Sequence, residues 1–593
     1  MAHGNNTKGT EKPKEMKKTF VRLMSYMDKE KKLLAVIFFL IIIAIISNLL
    51  GSYMLRPIIN EYILPGDISG LIVMLLVLLV VYLSGILATF IEYRLLNKLG
   101  QKTVARLRSD LFRKMETLPI AFFDTNKHGD LMSRYTNDVD KISDVLTDSL
   151  ADLLSSILMF TGIFALMIYI SPILTLVSLI TIPLMFLSAR AIVKKSKVYF
   201  QAQQQKMGDA NGYIEEMISG QKIIKVFGHE NEVIEDFETL NQDLKDKAEK
   251  AQLYSGMMMP IMQNLSTINF VLISIVGALL AIFRGFDVGG LATFLQYSRQ
   301  FGRPIVELAS LYNNLQAAIA GAERIFQIID EKPESYNDVT NPIELENVSG
   351  ELVMQDVYFG YKPEKLVLKG ISLEAKPGTK IALVGATGAG KTTILNMLPR
   401  FYDIQSGKIL IDGIPIQDAS RNSLRQSMAI VLQDTHLFTG TVCDNIRFGR
   451  LNATDEEVIQ AAKLTAAHSF IKRLPQGYHT LLENDGANLS QGQRQLLNIA
   501  RAAIANPSIL LLDEATSNID TRSEILIQKG LDQLMEGRTS LIIAHRLSTI
   551  RNADTILVMD AGKIIEKGTH EELISQRGKY YYLYKNQFED MQA

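Results

Sequence analysis

Cysteine is almost absent from this chain, which has one, Cys443, in 593 residues. A single thiol excludes an intrachain disulfide and a zinc cluster, and we expect Cys443 to be a small packed side chain. Neither sign of charge is in excess, since 62 Lys and Arg stand against 63 Asp and Glu. The whole chain is only mildly apolar, at 47% hydrophobic residues, because the average combines a strongly apolar half with a polar half.

Charged residues are missing from two long stretches of the first half, residues 33–50 and 71–91. A helix needs about 20 apolar residues to cross a bilayer. Windows of this kind begin near six positions: Leu33, Leu71, Leu150, Ile173, Met259 and Leu291. The sequence therefore predicts six membrane-spanning helices rather than the buried helices of a large soluble protein.

Lysine and arginine are distributed unevenly around these predicted spans. Eight of them lie between residues 12 and 32, before the first span, and none lies in residues 57–70, after it. Basic residues stay on the cytoplasmic side, so both termini are predicted to be cytoplasmic. No small-residue cleavage pattern follows the first apolar run, which favours an uncleaved anchor over a signal peptide. The helical spacing of Phe20, Leu23, Met24 and Met27 predicts an interfacial helix before the first span.

Two connections between the spans are too long to be simple loops. Residues 92–146 read as a helix, a break at FFDTNKHGDLMSR (residues 122–134) and a helix, and residues 192–254 repeat this plan around SGQKIIKVFGHE (residues 219–230). Helices that run about 25 residues past the membrane extend roughly 37 Å. We expect the two breaks to contact a separate domain, at least one of them in a partner subunit. Solvated helical hairpins are the alternative.

The second half begins after a linker rich in Glu, Asp, Asn and Pro. We divide the chain into a cytoplasmic N-terminal segment (1–32), a transmembrane domain (33–328), a linker (329–346) and a nucleotide-binding domain (347–593). KIALVG, residues 380–385, is predicted to be a buried strand that leads into the phosphate-binding loop GATGAGKTT. The loop residues expected to bind nucleotide are Gly385, Ala386, Thr387, Gly388, Ala389, Gly390, Lys391, Thr392 and Thr393.

Each residue type in this loop suits a phosphate ligand. Glycines let the backbone fold round phosphate without a Cβ clash. Lys391 supplies positive charge to the β- and γ-phosphates, and Thr392 supplies a hydroxyl for Mg²⁺. Downstream, ILLLDEATS ends a predicted buried strand with Asp513 and Glu514, which is costly unless a cation or a substrate lies there. These motifs alone leave kinases, GTPases and many ATPases open.

LSQGQRQLLNIARA, residues 489–502, resembles the signature of ABC ATPases. Together with FFDTNKHGDLMSRYTNDVD, residues 122–140, it makes the chain from about residue 20 to about residue 585 similar to ABC exporter half-transporters of the type IV fold. The pattern is nearest to bacterial multidrug or lipid exporters. This resemblance implies an all-α six-helix transmembrane domain with long cytoplasmic helical extensions, followed by an α/β P-loop ATPase domain.

The same resemblance implies a role for each matching residue. Glu514 acts as general base, His545 contacts the γ-phosphate, Asp513 holds Mg²⁺ through water, and Gln433 joins Thr392 and Asp513 around the metal and reports the nucleotide state. Ser490, Gly492 and Gln493 close over the ATP of another subunit, and Asp520 joins the two ATP sites. Tyr361 stacks on adenine, with Tyr358 as its competitor.

Two features depart from the common exporter pattern. Gln491 stands where most exporters have glycine, and ENDG, residues 483–486, replaces the usual glycine-glutamate-arginine-glycine loop. Both resemble the catalytically competent member of heterodimeric bacterial exporters, whose partner often has a degenerate ATP site. A homodimer stays open.

We therefore expect ATP-dependent efflux of hydrophobic or amphipathic compounds, drugs or lipids, across the cytoplasmic membrane, with ATP and Mg²⁺ as cofactors. The expected partners are a second half-transporter, the bilayer and a small hydrophobic substrate, with no nucleic acid. A lipid-specific flippase, an ATP-gated channel or sensor, and an importer are the alternatives. Five residues either face a substrate cavity or form hydrogen bonds between helices: Asn264, Asn269, Gln296, Tyr297 and Gln300.

Overall fold

The computed structural model describes residues 15–27, 30–513, 520–544 and 547–585. They form two compact units. The first contains the chain up to Glu116 together with His128–Glu331, and the second contains Thr117–Lys127 and the chain from Lys332 onward. Glu514 and His545 lie outside the described residues, so their roles stay predictions.

The first unit is built from helices. Their bounds are Met16–Met27, Lys31–Tyr53, Leu55–Pro57, Ile68–Met115, His128–Ser133, Val139–Asp144, Leu150–Ile170, Pro172–Ser219, Gln221–Phe227, Glu230–Gly256, Met258–Arg284 and Val288–Ile329. Wider π-helical turns at Ile58–Ile63, Arg134–Asp138 and Val145–Ser149 continue the adjoining helices.

Within the described residues, five continuous helical stretches are long and apolar enough to cross a membrane: Lys31–Ile63, Ile68–Met115, His128–Ile170, Pro172–Ser219 and Glu230–Arg284. They contain the first five predicted spans. The sixth predicted span, from Leu291, lies in the helix Val288–Ile329 but is not among these five. Gln296, Arg299 and Gln300 interrupt its apolar run, which a helix packed against other helices tolerates.

The long connections follow the predicted plan of helix, break and helix. Ile68–Met115 and Pro172–Ser219 each have 48 residues, or about 72 Å of helix against about 30 Å of hydrocarbon. Short helices form the breaks, Ile120–Thr125 in the first and Gln221–Phe227 in the second. Residues 117–127, which include the start of the first break, belong to the second unit. The sequence had left open whether this break contacts another domain or is a solvated hairpin.

The helix before the first span, Met16–Met27, is present as predicted. One face of this helix is buried, since Leu23 is 0% exposed and Met27 is 3% exposed. Arg22 pairs with Asp330, with Nη1 and Oδ2 2.5 Å apart, and lies 4.2 Å above the ring of Phe326. Protein therefore covers Leu23 and Met27, and the interfacial position of this helix stays a prediction.

The second unit contains all twelve strands of the described residues. They are β1 Leu352–Phe359, β2 Leu368–Ala375, β3 Lys380–Gly385, β4 Ser406–Ile411, β5 Ile414–Pro415, β6 Met428–Val431, β7 Gly440–Thr441, β8 Leu481–Leu482, β9 Ile509–Asp513, β10 Thr539–Ile543, β11 Thr555–Asp560 and β12 Lys563–Gly568. The main sheet has the order β12-β11-β3-β10-β9-β6, and a second sheet has the order β2-β1-β4-β5. β3 coincides with the predicted KIALVG strand.

The second unit also contains helices. Their bounds are Ile120–Thr125, Lys391–Met397, Arg421–Gln426, Val442–Arg447, Asp455–Leu464, His468–Ile471, Gln491–Ala505, Thr521–Met535, Leu547–Arg551, His570–Gln576 and Lys579–Tyr584, with 3₁₀ turns at Glu334–Asn337, Gly477–His479 and Asn484–Gly486. Cys443 is buried in a helix, as expected.

Both faces of the main sheet are covered by apolar residues. Along β3, Ala382 and Val384 join one cluster, while Ile381 and Leu383 join another. The alternation follows from the two-residue period of a strand, and burial on both faces is typical of parallel strands between helix layers. The buried centre of this sheet therefore fixes the positions of the loops that follow its strands.

Candidate functional site

The five parallel strands β11, β3, β10, β9 and β6 end at the same edge of the main sheet. The register pairs Leu383 of β3 with Ile543 of β10, and Ile543 with Asp513 of β9. It also pairs Val431 of β6 with Leu512. The carboxyl ends of parallel strands lie at one edge, where open α/β sheets bind ligands. This edge therefore brings together the phosphate-binding loop, Asp513 and the segment that begins with Gln433.

The phosphate-binding loop needs glycine at its two ends. Gly385 has φ +154 and Gly390 has φ +102, both in a region that favours glycine. A Cβ on Gly385 would also overlap the carbonyl oxygen of Met559 in the neighbouring strand β11. The helix Lys391–Met397 follows directly, so backbone N–H groups at its first turn point at the loop.

Lys391 lies inside this loop rather than in solvent. It is 7% exposed, and its Nζ donates to the carbonyl oxygens of Gly385, at 2.7 Å, and Ala386, at 3.0 Å. Burial lowers the pKa of Lys391, and the nearby carboxylate of Asp513 partly opposes this. The site thus carries a desolvated positive charge that a phosphate group would stabilise.

Thr392, Asp513 and Gln433 supply oxygen atoms at the same sheet edge. Hydroxyl, carboxylate and amide oxygens are the hard ligands that Mg²⁺ prefers, and Mg²⁺ keeps waters and phosphate oxygens as further ligands. No cluster of three or more His, Cys, Asp or Glu side chains suited to a metal occurs in the described ranges. The donor set therefore fits a Mg²⁺ ion that arrives with nucleotide.

The segment after Gln433 is attached to the helix Gln491–Ala505. Thr435 Oγ1 donates to Gln495 Oε1 at 2.5 Å, and Arg501 donates to the carbonyl oxygen of His436 at 2.9 Å. In the ENDG loop, the carboxylate of Asp485 accepts from the backbone N–H of Leu437 at 2.7 Å. An arginine side chain at the position of Asp485 could not accept this hydrogen bond, because it has only donor groups. The ENDG sequence thus suits a local contact that fixes the Gln433 segment.

The signature residues begin the helix Gln491–Ala505. Ser490 is the N-cap, and it forms a capping box in which its hydroxyl accepts from Gln493 N–H while Gln493 Oε1 accepts from Ser490 N–H. Ser490 and Gln491 are exposed, whereas Gly492 is buried. A capped helix end with exposed N–H groups suits an anion. Across the described residues, no hydrogen bond joins Ser490–Gln493 to the phosphate-binding loop.

Tyr361 lies beside the phosphate-binding helix. Its ring is 49% exposed, and its hydroxyl is 3.3 Å from Thr393 Oγ1. Tyr358, on the same stretch of chain, packs its hydroxyl end near Gly370. The position next to Thr393 favours Tyr361 as the side chain that stacks on a base bound at this loop.

Asp520 caps the helix Thr521–Met535. Its carboxylate accepts from Ser523 N–H at 2.9 Å, and hydrogen bonds from the Ser523 backbone and side chain lower the pKa of Asp520. The predicted link between two ATP sites is not tested by this contact.

Comparison with known proteins agrees with this architecture. Residues 34–305 match the ABC transporter transmembrane region family, and residues 368–517 match the ABC transporter family. The chain is 46% identical over 98% of its length to an uncharacterized ABC transporter ATP-binding protein, YfiC, of Bacillus subtilis, of which 96% is covered. It is 42% identical over 88% of its length to a fatty acid ABC transporter ATP-binding/permease protein of Mycobacterium bovis, of which 82% is covered.

A solved structure shares the fold. The structure of a bacterial Atm1-family ABC exporter with ATP bound matches with a TM-score of 0.75 and 28% identity, over 94% of this chain and 98% of that one. The chain belongs to the ABC transporters, as a half-transporter of the exporter type. It is a membrane protein that couples ATP hydrolysis to transport.

The cavity residues expected from the sequence divide into two groups. Asn269 donates to Ser298 Oγ at 3.0 Å, Tyr297 to the carbonyl oxygen of Leu49 at 2.7 Å, and Gln300 to Ser52 Oγ at 3.2 Å. These three form hydrogen bonds between helices, the alternative that the sequence allowed. Asn264 and Gln296 are exposed and stay predicted cavity residues.

Sequence reasoning missed two features of the structure. Tyr402, in the RFYD segment after the phosphate-binding helix, contacts Asp124 of the first break. Glu307, on the helix Val288–Ile329, accepts from Ser156 Oγ at 3.1 Å. The signal for Tyr402 was its place next to the P-loop helix, whereas nothing local in the sequence pairs residues 151 positions apart.

Proposed function

We propose that this protein exports an amphipathic, lipid-like compound from the cytoplasmic membrane as one half of a heterodimer driven by MgATP. The observation that carries the proposal is the common sheet edge, where the phosphate-binding loop, Asp513 and the Gln433 segment meet. The basic residues before the first span support a cytoplasmic location of both termini.

In the proposed ATP site, Lys391 binds the β- and γ-phosphates and Tyr361 stacks on adenine. Thr392, Asp513 and Gln433 would hold Mg²⁺, which neutralises phosphate charge when bound. Glu514 takes the proton of the attacking water, and His545 contacts the γ-phosphate. The loop N–H groups and the first turn of the helix Lys391–Met397 orient the phosphates.

Two exposed surfaces support a dimer. The signature helix presents Ser490 at its exposed N-terminus. The second break, Gln221–Phe227, exposes Ile223 (64%), Val226 (79%) and Phe227 (70%). An exposed apolar tip on a polar helical extension marks a protein contact. We infer that the signature closes over the partner's ATP and that the second break docks on the partner's nucleotide-binding domain.

Heterodimerisation follows from Gln491 and the ENDG loop. The test is to purify the chain alone and together with a second half-transporter encoded in the same organism, and to compare their ATPase rates. We expect the chain alone to be poorly active. A stable homodimer with full ATPase and transport would reclassify it as a homodimeric exporter.

The lipid-like substrate is proposed from the named relative and from the apolar helices. The test is ATPase stimulation across a panel of fatty acids, phospholipids, peptides and drugs, with Lys391→Met as the inactive control. Stimulation by acyl-chain compounds is expected. Stimulation by drugs alone favours a multidrug exporter, and passive flux that needs ATP binding without sustained uphill transport favours a gated channel.

A further inference from the structure

Residues Thr117–Lys127, which belong to the second unit, are held within it at two points. We call residues Thr117–Lys127 the coupling segment, because they connect two long helices of the first unit yet pack within the second. Its start is held by the linker, since Glu334 N–H donates to the carbonyl oxygen of Thr117 at 2.7 Å. Its middle is held by Tyr402, whose hydroxyl donates to the carboxylate of Asp124. A displacement of Glu334 or Tyr402 is therefore expected to displace the coupling segment.

Tyr402 is also part of an aromatic cluster at the proposed adenine site. Its ring lies edge-on to Tyr361, with centroids 5.1 Å apart and planes at 87°, and against Phe359, with centroids 5.6 Å apart. Tyr361 and Phe359 are themselves edge-on at 5.1 Å. Phe359 is buried at the end of β1, whereas Tyr361 is half exposed. Tyr361 is thus the ring of the cluster with a face available to a base.

The Tyr402 hydroxyl is set up as a donor. Burial raises the pKa of Tyr402, and the hydrogen bond and negative charge of Asp124 raise it further. The phenol therefore stays protonated at physiological pH and keeps its bond to the carboxylate.

The backbone around Tyr402 is held by ion pairs. Arg400 donates to Asp403 at 2.7 Å, and Arg425 donates to Glu334 at 2.6 Å and to the carbonyl oxygen of Pro399 at 3.1 Å. With this backbone fixed, movement of the Tyr402 side chain depends on its ring neighbours and on Asp124. The same Glu334 holds Thr117, so Arg425 connects this attachment of the coupling segment to Pro399, three residues before Tyr402.

We propose that Tyr402 relays occupancy of the Tyr361 ring by a base to the coupling segment through its hydrogen bond to Asp124. The proposal rests on the proposed role of Tyr361 in stacking on adenine. A base that stacks on Tyr361 restricts the Tyr361 ring. Because the Tyr402 ring contacts it edge-on, Tyr402 shifts, and the Tyr402 hydroxyl transmits this shift to Asp124. Tyr402 is a positioning residue in this account, since it touches neither phosphate nor the reacting water.

The test uses the full chain with its partner in lipid nanodiscs. Cys443 is replaced by serine, and an environment-sensitive fluorophore is attached to a cysteine at Lys127, which is exposed. The signal is recorded on titration with a non-hydrolysable ATP analogue and with inorganic tripolyphosphate, which fills a phosphate site but has no base. Tyr402→Phe and Asp124→Ala remove the hydrogen bond, and Tyr358→Phe is the matched control on the same stretch of chain.

In the parent, we expect the ATP analogue to change the fluorescence more than tripolyphosphate does. In Tyr402→Phe and Asp124→Ala, the response to the analogue should fall to the tripolyphosphate level, with the KM for ATP unchanged. In the double variant the loss should be no larger than in either single variant. Tyr358→Phe should behave like the parent.

Failure of the relay is distinguishable from failure of the adenine site. If Tyr361→Ala leaves the KM for ATP unchanged, the adenine assignment is wrong and the relay is wrong with it. If Tyr361→Ala raises that KM while Tyr402→Phe keeps the full parental response, only the relay is overturned. Equal responses of the parent to the analogue and to tripolyphosphate also overturn it.

Discussion

Replacing Lys391 with methionine separates the function of the phosphate-binding loop from its stability. The side chain keeps its length and loses its charge. In the structure, Lys391 is 7% exposed and its ammonium donates to two loop carbonyls. Burial lowers its pKa despite the nearby Asp513, so the site disfavours the charge when no phosphate balances it.

The two effects have different magnitudes. A hydrogen bond to a charged partner contributes about 1.5–3 kcal/mol, so losing the lysine should weaken MgATP binding by about 10- to 100-fold. For the nucleotide-free protein, the lost carbonyl bonds are offset by the removed desolvation cost. We expect the free energy of unfolding to change by less than about 1 kcal/mol.

The assay is calorimetric titration with MgATP, together with thermal unfolding of the nucleotide-free protein, on the full chain with its partner. Lys408→Met is the matched control, because Lys408 is an exposed lysine on β4, and both quantities should match the parent there. An unchanged affinity in Lys391→Met would refute the phosphate assignment. A large loss of thermal stability without nucleotide would show that Lys391 is mainly structural.

Three further predictions concern the same unit. Gly385→Ala should lower both MgATP affinity and thermal stability, because its Cβ meets the Met559 carbonyl at φ +154; parental values in a binding and melting assay would contradict the backbone argument. Glu514→Gln should keep ATP binding and lower steady-state ATPase by about 10²- to 10⁴-fold through loss of the base; a rate within about threefold of the parent would exclude that role. Burial lowers the pKa of His570 from its ordinary 6.5, so the folded protein favours the neutral imidazole. The stability that this preference contributes to the fold is present above pH 6.5 and is lost as the pH falls. Melting temperatures of the parent and His570→Gln should converge as pH falls from about 7.5 to about 5.5, and parallel curves would refute this.

Secondary-structure elements could be predicted from the sequence where a local pattern of residues determines them. KIALVG and GATGAGKTT are adjacent in the chain, so the strand, the loop and the helix from Lys391 needed no tertiary information. Five spans followed from runs of apolar residues. The helix Val288–Ile329 is more polar, and its polar side chains form hydrogen bonds to neighbouring helices, as Tyr297 does to the carbonyl oxygen of Leu49. Such pairing cannot be predicted from a local window of sequence.

Tertiary packing determined what the sequence missed. Leu23 and Met27 have the spacing of an interfacial helix, yet protein covers them. Asp124 and Tyr402 are 278 positions apart, and no periodicity connects them. The register that aligns Asp513 with Ile543 and Leu383 likewise depends on strand pairing, although each strand could be predicted alone.

The most direct test of the central claim is ATP-driven movement of a fluorescent acyl lipid in proteoliposomes that contain this chain and its partner. With MgATP on the side of the nucleotide-binding domains, the account predicts accumulation of the lipid in the opposite leaflet against its gradient, and no accumulation with Lys391→Met. Equal movement with and without ATP, or movement that only dissipates a gradient, would contradict ATP-driven export.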